Sequence, residues 1–191
     1  VANPTANPTV TTTYTLTTTS SNGCSAIDEV IVTVNNSVPL ANAGADFTKT
    51  CTLNPNGTSI GTTAVVGNAY SWSPSTGLTS SSSANPIANP TATSTYTLTT
   101  TNSSNGCTAT DQVIVTVNNS LPTVNAGTND TICNGSSLAL SGVSNANNIF
   151  WTPSSLVSNP GSLTPSANIQ GTTTFTLTAT GLNGCTSSDF V

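Results

Sequence analysis

The chain has 191 residues, and Lys49 is its only basic side chain against six acids, with no His and no Arg. One cation cannot neutralise a phosphate backbone, which excludes nucleic-acid binding and disfavours docking on an anionic membrane surface. Without His there is no Ser-His-Asp triad, and with no C-x-x-C and no glycine-rich phosphate loop the usual zinc and nucleotide motifs are missing as well.

Thr makes up about a fifth of the residues, a bias that on composition alone suggests a disordered or mucin-like chain. The order of the residues argues otherwise. ANPTANPTVTTTYTLTTTSSNGCSAIDEVIVTVNNSVPLANAG opens the chain and returns as ANPIANPTATSTYTLTTTNSSNGCTATDQVIVTVNNSLPTVNAG. A third, diverged copy reads TPSANIQGTTTFTLTATGLNGCTSSDFV. Tyr14 corresponds to Tyr96 and Phe175, Cys24 to Cys107 and Cys185, Trp72 to Trp151, and Cys51 to Cys133. The period is about 80 residues, the size of a sandwich domain and too long for the common solenoids. The expected division is 1–36, the back part of one repeat, then 37–119, a whole repeat, then 120–191, a repeat lacking most of its last strand. Because its ends fall inside repeats, the sequence is expected to be a window on a longer protein.

In chain order, TTTYTLTTT sets Tyr14, Leu16 and Thr18 on one face and Thr13, Thr15, Thr17 and Thr19 on the other. That is the pattern of a half-buried strand with an outer threonine ladder. An SNG turn leads to a second strand with Val30, Val32 and Val34 on its core face, giving a hairpin that corresponds to strands F and G of a sandwich. TSIGTTAVV and SSLALSGVS are predicted as strand B, and AYSWSP and NIFWTP as strand C. The Pro- and Asn-rich stretch after strand C is predicted to be irregular, with at most short strands, before the hairpin recurs with Tyr96, Leu98, Val113, Val115 and Val117 inward. The whole predicts an all-β chain of tandem immunoglobulin-like Greek-key β-sandwiches. Trp72 and Trp151 take the strand-C core position, with Leu98 and Leu177 against them, so that apolar contact rather than a central disulfide closes each core.

The pattern NAGxD, SWSPSTGL, TYTLT and NGCTATDxVxVTVN resembles the PKD-like and immunoglobulin-like repeats of Bacteroidetes surface proteins, among them gliding-motility adhesins and other large type IX-secreted proteins. The resemblance spans essentially the whole chain. It implies PKD-like tandem sandwiches on the outer surface of a Gram-negative bacterium, with roles in adhesion, spacing or filament building and no catalytic residues or cofactor. It also makes Thr131, in Asp130-Thr131-Ile132, a candidate O-glycan site. The third copy departs from the pattern, with FWTPSSLVSNPGS in place of SWSPSTGLTSSSS.

An exported protein should have oxidised cysteines. Two pairings fit. Cys51 with Cys107 and Cys133 with Cys185 keeps each bond within one repeat, leaving Cys24 with a partner outside the fragment. This is the preferred pairing, because both cysteines travel in each unit. The ends of a regular sandwich are too far apart for a bridge, however, and stacking repeats head to tail would join Cys51 to Cys185 across a junction. Asp28-Glu29 and Asp111-Gln112 are expected to be solvated polar residues at strand starts rather than catalytic pairs. Asn42, Asp46, Asn129 and Asp130 supply the oxygens a junctional calcium would need, but carboxylates are too few to favour one.

The functional expectation is a structural segment of a large extracellular surface protein, forming a stalk or the body of a surface fibre, with no enzymatic role. The alternative is an adhesive module that binds glycan or another surface directly. Partners would be neighbouring repeats, further copies or surface glycans, with no membrane insertion. Outward Ile31 and Ile114 on strand G, expected to be an edge strand, would make lateral assembly contacts.

Overall fold

The structure, a computed structural model, describes residues 3–191. Among them are fifteen β-strands and one 3-10 turn, Ser154–Leu156. The first copy is a single hairpin of β1 (Thr12–Thr19) and β2 (Ser25–Val32), paired antiparallel from Thr12 with Val32 to Thr19 with Ser25. The second contains β3 (Phe47–Thr50), β4 (Thr58–Ser59), β5 (Asn68–Ser73), β6 (Ile87–Ala88), β7 (Ser94–Asn102) and β8 (Thr108–Asn118). The third contains β9 (Val124–Asn125), β10 (Ser137–Ala139), β11 (Val143–Ser144), β12 (Asn148–Thr152), β13 (Ser166–Asn168), β14 (Thr176–Thr180) and β15 (Thr186–Phe190).

In the second repeat a sheet of order β3-β8-β7-β5 faces the short pair β4-β6. Alternation along β7 and β8 puts Tyr96, Leu98, Val113 and Val115 into the space between them, where they meet Trp72, Ile60, Ala88 and Ala43. The third repeat repeats the plan with β12-β14-β15, β10-β13 and β9-β11. Its core holds Trp151, Leu177, Phe175, Ile149, Leu140 and Ala167. Trp72 lies opposite Leu98, and Trp151 opposite Leu177, as direct cross-strand partners. Each indole N–H donates to a backbone carbonyl, Ser83 O at 2.8 Å and Ser162 O at 3.0 Å, so the ring is buried without an orphaned donor. Glycine is needed beside the ring, since a Cβ on Gly142 would come within 2.9 Å of Trp151 and 2.7 Å of Leu177. The chain is thus all-β, with two immunoglobulin-like sandwiches in tandem.

Several expectations change. Strand B is confined to Thr58–Ser59, and the following Val65 and Val66 are exposed. Gly61, at φ 76°, turns the backbone out of the strand there. Strand G is not an edge over its last residues, because β3 pairs with it in parallel from Phe47 with Val115 to Thr50 with Asn118. Ile114 and Ile31 are 41% and 64% exposed, so neither is buried on another repeat of this chain, and Ile114 lies just before the stretch of β8 that β3 covers. The first hairpin differs from its later copies. Tyr14, Leu16 and Val30 are exposed, whereas Tyr96, Leu98 and Val113 are fully buried, because nothing in the described chain stands where Ile60, Trp72 and Ala88 stand. Lys49 is buried within β3, its ammonium donating to Pro90 O at 2.9 Å.

Candidate functional site

With no catalytic constellation expected, the recurrent side-chain chemistry gathers where one repeat meets the next. The NGC triplet builds that site. In each copy the F–G turn closes with a pair of backbone bonds: Ser20 N to Cys24 O and Gly23 N to Ser20 O; Asn102 N to Cys107 O and Gly106 N to Asn102 O; Gly181 N to Cys185 O and Gly184 N to Gly181 O. The glycines sit at φ 84°, 74° and 76°, a left-handed conformation that a residue with a Cβ adopts at a cost. The Asn side-chain oxygen accepts the cysteine N–H at 3.3, 2.9 and 3.1 Å in the three copies. Its amide group is thereby aimed outward, away from its own domain.

At the second junction that amide, Asn183 Nδ2, donates to Asn118 O at 3.2 Å, Asn118 Oδ1 at 3.0 Å and Ser120 O at 2.9 Å. At the first junction Asn105 Nδ2 donates to Asn35 O at 3.2 Å, Asn35 Oδ1 at 3.2 Å and Ser37 O at 2.9 Å. The acceptors are the same residues of the same linker, NNS, in its two occurrences. The far end of each linker is held too. Asp111 Oδ2 accepts Ala43 N at 2.8 Å and Asp189 Oδ2 accepts Ala126 N at 2.9 Å. These acids are half-buried anchors, not the solvated strand-start residues expected of Asp111. Carboxylate acceptors make stronger bonds than neutral ones. Each incoming linker is therefore clasped twice by the domain it leads into.

A covalent bond is added at the second junction. Cys51 is joined to Cys185, with Cα atoms 5.0 Å apart and a sequence separation of 134. The preferred within-repeat pairing is not formed, and Cys24, Cys107 and Cys133 are free thiols. The reason is topological. Parallel pairing of β3 with the end of β8 carries Cys51 to the end of the sandwich where β8 leaves it, opposite the F–G turn that holds Cys107. That end faces the F–G turn of the following repeat. Thr50 fixes the turn around Cys51 by accepting Thr52 N at 3.2 Å and Leu53 N at 2.9 Å on its hydroxyl. Thr52 then packs directly on Gly184, so that a Cβ there would clash with it.

Other sequence-marked residues lie apart from the junction or serve local structure. Asp46 Oδ1 accepts Ile114 N at 2.7 Å and Asn42 Oδ1 accepts Gly44 N at 2.9 Å. Among the described residues no three His, Cys, Asp or Glu side chains converge as metal ligands. Thr131 is exposed, two residues before Cys133.

No family model matches the chain, and no curated protein matches it in sequence. Solved structures do. A four-domain fragment of Drosophila N-cadherin (EC1-4) is 12% identical over 95% of this chain and 57% of its own, with a TM-score of 0.42. The extracellular cadherin domains 1–4 of protocadherin gamma B7 are 11% identical over 96% and 57%, at 0.39. The titin domains Z1Z2 in complex with telethonin are 16% identical over 76% and 89%, at 0.30. The chain spans a little over half the length of the two cadherin fragments. At these scores the likeness carries no functional argument, and the fold stands on the strand pairing and cores described above.

Proposed function

We propose that the chain is a structural segment of a large extracellular surface protein, in which sandwich repeats follow one another at fixed junctions to form a stalk or the body of a surface fibre. The observation that carries the reading is the junction itself. The same Asn clasp recurs at both junctions, and a disulfide locks the second. Such devices restrict how one domain turns on the next, which neither an enzyme's site nor a freely jointed linker requires. A disulfide also fits an oxidising compartment outside the cytosol. No helix among the described residues is long and apolar enough to cross a membrane.

Small-angle scattering on the oxidised chain and on a Cys51→Ala/Cys185→Ala variant tests this. The oxidised chain is expected to fit a single arrangement of the second and third repeats, and the variant a broader ensemble. Equal flexibility in the two would remove the stalk reading. Specific binding of the oxidised chain on a glycan array would favour the adhesive alternative.

A further inference from the structure

The first junction repeats the Asn clasp of the second but lacks the bond and the turn that supplies it. Asn105 makes the three linker contacts that Asn183 makes, and Cys107 sits half-buried on the same turn as Cys185. Where Gly184 is covered by Thr52, Gly106 has nothing within 4 Å of the place its Cβ would take. The space open beside Cys107 is thus the space that the Cys51 turn fills one repeat later. At the other end, Cys133 occupies the Cys51 position of the third repeat, and its thiol is exposed.

We infer that Cys107 and Cys133 are complementary halves of one repeating covalent staple. Cys107 takes the Cys51-type thiol of a preceding repeat of this kind, and Cys133 takes the NGC thiol of a following one. Cys24, on the first F–G turn, is a further half of the Cys107 type. Each bond forms when two thiols give up two protons and two electrons to a disulfide oxidant. With oxidised glutathione, one thiolate attacks its S–S bond to give a mixed disulfide and one glutathione thiol. The second protein thiolate then displaces the other glutathione. Because Cys133 lies between Cys51 and Cys185 in sequence, successive staples overlap. A run of repeats would be an interlocked covalent chain rather than beads on a thread. This inference deepens the stalk reading and rests on it for its purpose, but it concerns the pairing alone.

The test is a chain of residues 1–119 followed directly by residues 37–191, with the inserted unit isotope-labelled so that its peptides differ in mass from those of the first, refolded in a glutathione redox buffer, alkylated and mapped without reduction. The expected peptides link Cys51 of the first unit to Cys107 of the inserted one, and Cys51 of the inserted unit to Cys185. Cys133, Cys24 and the first Cys107 are expected to alkylate. In a companion chain with the inserted Cys107→Ser, the first Cys51 is expected to become an alkylatable thiol while the bond to Cys185 persists. A bond within one unit would overturn the inference. So would an inserted Cys107 left as a thiol, or pairing of the first Cys51 elsewhere in the companion chain. The stalk reading fails separately, by flexible scattering from a chain that carries the expected disulfide map.

Discussion

The two junctions of this chain share the same Asn and Asp clasps, and the second adds a covalent bond and the packing of Thr52 on Gly184 that goes with it. Asn105 and Asn183 grip equivalent linker atoms, and Asp111 and Asp189 grip equivalent entry residues, yet only Cys185 has Cys51 to bond with. The difference separates two tasks. The Asn and Asp contacts position the linker against the domain that follows it, and they form without any disulfide. The disulfide ties the far end of one sandwich to the near end of the next and so acts on the relation between two cores. Polar contacts of this kind contribute about 0.5–1.5 kcal/mol each, or about 1.5–3 with a charged partner. In the chain-entropy picture, closing a loop of this length contributes about 5 kcal/mol.

The largest effect is expected from Cys185→Ala, which should lower the stability of the coupled second and third repeats by up to about 5 kcal/mol in chemical denaturation. Cys107→Ala should leave this chain's stability unchanged, and a large loss there would show that the first junction depends on its thiol in some other way. Next comes Asp111→Ala, which strands the Ala43 N–H and should destabilise the second repeat by about 1.5–3 kcal/mol. Asp189→Ala should do the same to the third.

Asn105→Ala and Asn183→Ala should then part company. The first is expected to release the Ser37 linker to faster amide hydrogen exchange, while the second should show the same release at Ser120 only after reduction. Equal release in both oxidised variants would mean that the staple does not restrain its junction.

The two sandwiches differ as well, at Tyr96 and Phe175. Burial pushes the Tyr96 phenol above its ordinary value, and its hydroxyl donates to Thr76 O at 2.7 Å. An unfolded tyrosine ionises near pH 10. The folded state holds its proton longer, so stability is intact below that pH and falls as pH rises from there through the folded value. The second repeat should therefore soften in strong alkali, and Tyr96→Phe should remove that part of the loss. The smallest effect concerns Thr100, fully buried with its hydroxyl unpartnered where the third repeat has Ala179. Thr100→Val should raise the melting temperature slightly, by up to about 1 kcal/mol of stability.

Much of this was legible in the residues. The recurring YTLT and V-x-V-x-V patterns fix the F–G hairpins, and the two tryptophans fix the cores, because burial on a pleated strand imposes period two. The junction was harder to read. Asn-Gly announces a turn, but nothing local says that the Asn amide reaches about 70 residues back to a linker carbonyl. A signal did exist: NGC recurs three times and NNS twice, and paired recurrences of turn and linker are what a shared contact would leave. The parallel pairing of β3 with β8 was also invisible, since FTKT has no marked alternation of its own. Missing that pairing is what made the within-repeat disulfide look reasonable and the end of β8 look like an edge.

Pulling the chain from its two ends, oxidised and then reduced, tests the covalent junction most directly. With Cys51 bonded to Cys185, the 134-residue separation between them is kept out of the extension. Reduction should then lengthen the fully unfolded chain by about 450 Å, at 3.3–3.6 Å per residue. The same contour length before and after reduction would contradict the account.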